Sequence, residues 1–177
     1  FNTQANGRSL EQFVRDELTE TLRHFIVTMK AYDAIIPDFL WVLQQSSHKN
    51  VIDLCSGASG PWECFLQVMD KFKFDVQTVT LTDISPNRTA QERLRQKYPD
   101  KIICKEVPVD ARNIAPDLSG VRTIFSAFHH FTTEETQAIL QDAVNKQMPI
   151  CVFEITERSY KSLLHIPVAT ILPFAQR

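Results

Sequence analysis

Between residues 49 and 155, short apolar runs alternate with amphipathic stretches. That alternation predicts strands separated by helices. Strand-like runs fall at 50–55, 76–82, 101–105, 121–126 and 149–154. Helical spacing of apolar positions runs from Pro61 to about Phe72, over 86–97, and from Thr132 to about Lys146. Ser85 and Pro86 suit an N-cap and a first helical position, and Thr132-Thr-Glu-Glu135 reads as a capping box. The stretch after the third strand, with Pro108 and Pro116, is expected to be irregular. Strands spaced by helices of this length imply βαβ units with right-handed crossovers. The expected fold is therefore α/β, a doubly wound, mainly parallel, Rossmann-like sheet.

Ahead of the first strand the pattern is helical only. Ser9-Leu-Glu-Gln12 reads as a capping box, and Phe13, Leu18, Leu22, Phe25, Ile26 and Met29 follow at roughly helical spacing. Pro37 interrupts the pattern, and Asp38 to Gln45 resumes it. Residues 1–48 are thus expected to form an N-terminal helical cap and 49–177 the α/β core. A last helical segment is expected from Arg158 or Ser159.

Residues 51–61, Val-Ile-Asp-Leu-Cys-Ser-Gly-Ala-Ser-Gly-Pro, carry the densest chemical information. They read as strand, small-residue turn and helix start. Glycine in such a turn lets a ligand approach the backbone, and the helix start offers free N–H groups. The carboxylate of Asp53 narrows the choice of ligand. It would repel a pyrophosphate and suits a ligand with an amine and a positive charge.

Polar residues end each expected strand: Asp53, Asp83, Asp110 beyond the third strand, His129-His130, and Glu154. Ligands of open α/β sheets bind outside the carboxyl ends of the strands, at the topological switch point. Five such endings on one edge describe a site.

Composition narrows the partners. The chain has 177 residues, 44% hydrophobic and 23% charged, with net charge −2, which suits one globular domain with a real core. A near-neutral balance gives no footprint for nucleic acid or an anionic membrane. No signal-peptide pattern is read, and the apolar runs are too short to span a bilayer. The apolar stretch Leu163–Phe174 is broken by His165, Pro167 and Pro173 and is expected to be buried or capping structure. Cys55, Cys64, Cys104 and Cys151 form no C-x-x-C pair. They read as small buried hydrophobes of a reduced, cytoplasmic compartment, and no metal is expected. The chain starts at Phe1 and stops at Arg177, soon after the last clear strand, so a fragment is expected.

Four segments in register carry a family resemblance. Val51–Gly60 resembles motif I of the class I S-adenosylmethionine (SAM) dependent methyltransferases. Leu81-Thr-Asp-Ile84 resembles their acidic end of strand two, and Val109-Asp-Ala111 their Asp-Ala element. Ser126-Ala-Phe-His-His-Phe131 resembles the strand-four ending of the ubiquinone and menaquinone biosynthesis type. Three departures stand out. Cys55 sits where the family often has Gly. The turn Gly57-Ala-Ser-Gly60 is about one residue longer, with Ser59 at a position often Gly. The family also usually adds two strands after the fifth, and the residues beyond 155 look too few and too helical to supply them. Either the fragment lacks those strands or another chain, in a homo-oligomer or a hetero-complex, completes the sheet.

The resemblance implies SAM as cofactor, S-adenosylhomocysteine (SAH) as product, and in-line methyl transfer to an acceptor. Asp53 would face the ammonium of the methionine part; as a turn residue it would bond backbone N–H groups instead. Gly57 and Gly60 would let the backbone pass close to the cofactor. Asp83 would take both ribose hydroxyls, or alternatively build an Asx turn ahead of Ser85-Pro86. Asp110 would accept the adenine amine beside Ala111, or alternatively cap a short helix at 111–114. Ser56, Ile84 and Ser126 complete the expected cofactor-binding set. His129 and His130 are the candidates for acid–base work on an acceptor, with pocket lining or structural packing as the alternative. Glu154 would face the acceptor side or stay solvated. Tyr32 is positioned to belong to a lid. The strand-four ending, Ser-Ala-Phe-His, lacks the Asn/Asp-Pro-Pro-aromatic pattern of many nitrogen methylators, and no basic, aromatic-lined groove is read. A small-molecule acceptor is therefore expected. Two other readings are kept: a SAM-binding scaffold without turnover, and an NAD-type oxidoreductase. The second would need G-x-G-x-x-G, where this chain gives G-x-S-x-x-W from Gly57.

Overall fold

The computed structural model describes residues 11, 14–18, 20, 21, 24, 32–74 and 76–155. The helical segment expected from Arg158 or Ser159 lies outside the described residues, as do most residues of the expected helix after Ser9. Those described at 11–24 are helical.

Five strands form one sheet: β1 (Val51–Leu54), β2 (Val79–Leu81), β3 (Ile102–Cys104), β4 (Val121–Phe125) and β5 (Ile150–Phe153). Their order is β3-β2-β1-β4-β5, and every pairing is parallel. The chain order reverses between β1 and β4, which makes that crevice the switch point. Among the described residues from 32 on, four α-helices pack on the sheet: α1 (Ile36–Gln45), α2 (Trp62–Lys71), α3 (Arg88–Lys97) and α4 (Thr133–Asn145). The link from β3 to β4 holds no helix, as its prolines predict.

Side chains of β1 alternate between two cores. Val51 packs with Ile36, Phe39, Leu43, Trp62, Phe65 and Leu94 on one face. Ile52 and Leu54 pack with Ile114, Leu118 and Ile139 on the other. Helices α1, α2 and α3 thus cover one face of the sheet and α4 the other.

Three local differences from the sequence reading concern element ends. The second strand begins at Val79 rather than 76, β1, β3 and β5 are each trimmed at both ends, and β4 starts as expected at Val121 and loses one residue at its end. The helix after β2 begins at Arg88, capped by Asn87, whose side chain accepts from the Ala90 N–H at 3.1 Å. Ser85 does not cap it and instead closes an Asx turn ahead of the helix, its N–H donating to Asp83 Oδ1 at 2.7 Å. Pro37 opens α1 rather than interrupting a longer helix. In a first turn its missing N–H costs nothing. The capping box at Thr132 and Glu135 is present as expected.

One charged residue lies inside the second core. Arg122 on β4 is fully buried, with Asp142 of α4 at 2.8 Å from Nη1. Asp142 also meets Lys146 and accepts from the Ile114 N–H at 3.4 Å. Burial pushes the Asp142 carboxyl up, but Lys146 and Arg122 outweigh it and hold the group below its ordinary value.

Candidate cofactor and acceptor site

Asp53 is the third of the four β1 residues and lies inside the sheet, not in the loop after it. It is 1% exposed. One carboxylate oxygen accepts from Thr123 Oγ1 at 2.7 Å. That contact follows from the pairing of β1 with β4, which sets Asp53 opposite Thr123. The other oxygen, Oδ2, is buried with no well-aligned hydrogen bond among the described residues, and so is the Trp62 indole Nε1, the donor that acts on this carboxyl. Burial pushes the Asp53 carboxyl up to about 7. Thr123 and then the Trp62 indole N–H, as hydrogen-bond donors, work the other way, and Asp83 adds to the rise. A buried orphan oxygen is costly unless a donor completes it. Gly60 borders that oxygen, since a Cβ there would lie 4.0 Å from Oδ2 and 3.9 Å from Phe125. Gly57 has nothing within 4 Å of a Cβ position.

The turn after β1 holds four residues at positive φ: Cys55 (57°), Gly57 (46°), Ser59 (73°) and Gly60 (49°). Two are the positions where a Gly is more usual in the resembling family. The loop therefore keeps the left-handed backbone while carrying side chains that disfavour it. Cys55 packs against the second core, which offsets part of the strain. Among the described residues the buried Ser59 hydroxyl bonds only the adjacent Ala58 carbonyl. Ser59→Gly is therefore expected to stabilise the protein by about 0.5–1 kcal/mol in urea unfolding. A loss of stability of that size would show that the Ser59 side chain supports the loop.

Ser56 anchors the loop from below. Its hydroxyl donates to the Thr82 carbonyl at 2.8 Å and accepts from Gln91 Nε2 at 3.4 Å. Asp83 clamps the loop from the side, with Oδ2 accepting from the Gly57 N–H at 2.8 Å and Oδ1 from Ser85. The Asx turn and a ribose-binding role are compatible, because a carboxylate has about four acceptor positions and only two are used. Ile84 beside it is 63% exposed, an apolar face on the mouth of the site. Asp53, Asp83 and Asp110 all act on the Cys55 thiol, which burial first, then these three charges, push up to about 12. The turn thus gathers the three predicted carboxylates around one point, and Cys55 stays an unreactive thiol.

Asp110 does not cap a helix. Residues 111–113 form a turn, and Asp110 Oδ1 accepts from the Arg112 N–H at 2.9 Å. The Arg112 guanidinium also binds the same carboxylate at 2.7 Å and reaches Glu135 of α4 at 2.7 Å. Arg112 holds the Asp110 carboxyl below its ordinary value. Ala111 is buried in the second core.

At the end of β4, Ser126 adopts φ 46°. Its hydroxyl accepts from Tyr32 Oη at 2.8 Å and from the Ile155 N–H at 3.3 Å. Tyr32 is buried against Phe65 and Phe125. Burial pushes its phenol up to about 12, with Glu154 and Asp53 adding to the rise. It therefore sits in the floor of the mouth, between the cofactor side and the strand-five end. Next, the His129 and His130 rings lie 4.1 Å apart, tilted at 45°, within the 3₁₀ turn Phe128–His130. Glu154 is exposed just past β5, yet both of its oxygens are engaged. One oxygen accepts from the Phe128 N–H at 2.8 Å, and the other meets His129 Nδ1 at 2.7 Å. Desolvation, then the neighbouring His129, hold His130 below its ordinary value. A cleft of about 660 Å³ opens beside His129, Glu154, Phe128 and Phe131.

Thr123, Trp62 and Arg112 were not singled out for these contacts by the sequence. Thr123 becomes readable once β4 is set beside β1, because register fixes the pair. Arg112 is two residues from Asp110, a spacing that offers a signal only when the backbone turns between them.

No family model matches the chain, and no curated protein sequence matches it. Solved structures do. The PH0226 protein of Pyrococcus horikoshii OT3 is 14% identical over 82% of this chain and 62% of that one, with a TM-score of 0.58. The methyltransferase domain of a bacterial Hen1 (CtHen1-CN) is 20% identical over 69% and 65%, with a TM-score of 0.52. PigF with SAH is 17% identical over 94% of this chain and 51% of that one, with a TM-score of 0.52. The chain thus spans about half to two thirds of the length of these structures. Its fold is that of a class I methyltransferase core.

Proposed function

We propose that this chain is the cofactor-binding core of a SAM-dependent methyltransferase acting on a small molecule. The observation that carries the reading is the buried Asp53 carboxylate at the switch point, whose Oδ2 lacks a well-aligned hydrogen bond and borders a glycine that leaves room for a ligand. A cationic amine would complete that oxygen and restore the carboxylate charge. Asp83 would take the ribose hydroxyls on its two spare acceptor positions. Ile84 would cover one face of the adenine. Asp110 and the Ala111 backbone would meet its edge, with Arg112 sharing the Asp110 carboxylate. The N–H groups of the Cys55–Gly60 turn and Ser126 would line the rest.

Bound SAM would supply an electrophilic methyl group on a sulfonium. The chain supplies position and field. Tyr32 and the aromatic side chains Phe125, Trp62 and Phe65 form an apolar wall that keeps water from Asp53. His129 or His130 would line the acceptor side and handle its proton. Among the described residues no helix is long and apolar enough to cross a membrane.

Calorimetric titration of Asp83→Ala with SAH tests the assignment. The variant is expected to lose about ten- to a hundredfold in affinity, as two charge-assisted hydrogen bonds disappear and the Gly57 clamp opens. Affinity equal to the wild type would remove Asp83 from the site.

A further inference from the structure

Resting on the methyl-transfer reading, the geometry points to Trp62 as a positioning residue whose indole N–H shares the Asp53 carboxylate with the cofactor's ammonium and sets the pH above which the site takes it. Two buried groups meet at the switch point. Asp53 is 1% exposed and Trp62 0%. Asp53 Oδ2 and Trp62 Nε1 both lack a well-aligned hydrogen bond among the described residues. The first is an acceptor, and the second can only donate. The chain brings them together through Gly60, two residues ahead of Trp62. A Cβ at Gly60 would lie 4.0 Å from Oδ2 and 3.9 Å from Phe125 Cδ2. The Trp62 ring meets the same Phe125 ring edge to face, with centroids 5.8 Å apart. Thr123 occupies Oδ1 at 2.7 Å, which leaves Oδ2 for the indole.

The indole cannot turn to improve the bond. Its ring is wedged edge to face against Phe39 at 5.8 Å, Phe65 at 5.7 Å and Phe125 at 5.8 Å. Its backbone is fixed too, with the Trp62 N–H donating to the Ser59 carbonyl at 3.3 Å as α2 begins. A near but misaligned N–H favours the ionised carboxylate through its charge. It does so without saturating Oδ2, because a carboxylate oxygen has two acceptor positions and an ammonium needs one. Burial is what pushes the Asp53 carboxyl up to about 7, and Thr123, then the Trp62 N–H, pull against it. Without the indole N–H the carboxyl would stay protonated at neutral pH and offer no charge to an ammonium. Packing alone gives no reason for a tryptophan here. Phenylalanine would fill the aromatic cluster without burying an N–H, which is costly when left unsatisfied. The other groups that face Asp53 are Thr123 on β4, Asp83 beyond β2, Cys55 in the turn and Tyr32 ahead of α1. Burial pushes the Cys55 thiol and the Tyr32 phenol up to about 12, so both stay neutral while Asp53 titrates.

Two readouts on the full chain test the pair. Trp62→Phe keeps the ring and removes the N–H. SAH titrated calorimetrically into wild type and variant between pH 6 and pH 8.5 gives the ratio of their affinities, in which the ligand's own ionisation cancels. The variant is expected to bind about tenfold more weakly at pH 6 and within about twofold of the wild type at pH 8.5, as the Asp53 midpoint moves up by about one pH unit. A ratio that is the same at every pH is the mark of lost packing and overturns the inference, as does a variant equal to the wild type throughout. The second readout needs neither ligand nor a change at Trp62. The chain has two tryptophans, and Trp41 is 63% exposed, so the buried indole is readily assigned. In nitrogen–proton NMR of the free wild type, the Trp62 indole N–H resonance is expected to shift with a midpoint near pH 7, and in Asp53→Asn to stay fixed. A resonance that does not titrate, or that titrates equally in Asp53→Asn, overturns the inference. The two readings fail separately. A titrating indole without SAH binding in the wild type would defeat the cofactor reading and uphold the Trp62–Asp53 pair.

Discussion

Asp53→Asn is expected to weaken SAM binding at least thirtyfold and, at the same time, to make the free protein more stable at pH 8. Both effects follow from one buried carboxylate. Burial pushes Asp53 from an ordinary 3.8 up to about 7. Between about pH 4 and pH 7 the folded protein therefore holds a proton that the unfolded chain has released. Stability falls as pH rises through that window and stays low above it. A shift of this size corresponds to at most about 4 kcal/mol. Asparagine carries no such dependence, but its new N–H2 lacks an acceptor, at a cost of about 1–3 kcal/mol. The net gain at pH 8 is then about 1–3 kcal/mol, a rise of several degrees in Tm for a chain of this length. At pH 5, where Asp53 is already neutral, the variant is expected to gain nothing. The loss of binding reflects a buried charge left without its counterpart, which costs about 2–5 kcal/mol in such sites. Thermal unfolding at the two pH values checks the first effect and calorimetry the second. A variant that binds SAM like the wild type, or is less stable at pH 8 than at pH 5 relative to it, contradicts this account.

Asp142→Ala is expected to be among the most damaging single changes away from the site. It strands the fully buried Arg122 without its counter-charge. Breaking one side of such a pair costs about 3–5 kcal/mol. Replacing Arg122 by Met in the same background removes the stranded charge and fills similar volume, and is expected to recover most of the loss. Urea unfolding of the single and double variants separates the two contributions. A double variant no more stable than Asp142→Ala would mean that Asp142 acts through Lys146 and the Ile114 N–H instead.

Much of the fold was legible because each level of the sequence agreed with the next. Apolar runs, turn residues and capping signals all pointed to parallel strands with helical crossovers. The element ends were less legible. Ser85 and Pro86 look like a helix start, yet the Ser85 N–H closes an Asx turn on Asp83 and Asn87 takes the cap. The carboxylates at the strand ends were visible as residue types, and their convergence on the turn at Cys55 followed from the strand order. What the sequence withheld were contacts between distant positions. Thr123 meets Asp53 across 70 residues, and Glu154 meets His129 across 25. Neither spacing is periodic, so only register and strand order bring them together. Cys55 and Ser59 were legible as departures from glycine, but their left-handed backbone was not.

Calorimetric titration of the wild-type chain with SAM at pH 8 and pH 6, with NAD as a control, tests the central claim most directly. The account predicts micromolar binding of SAM at pH 8, affinity about tenfold weaker at pH 6 as Asp53 takes up its proton, and no binding of NAD. Binding of NAD, or SAM affinity that ignores pH across this range, would contradict the assignment of Asp53 as the ammonium partner.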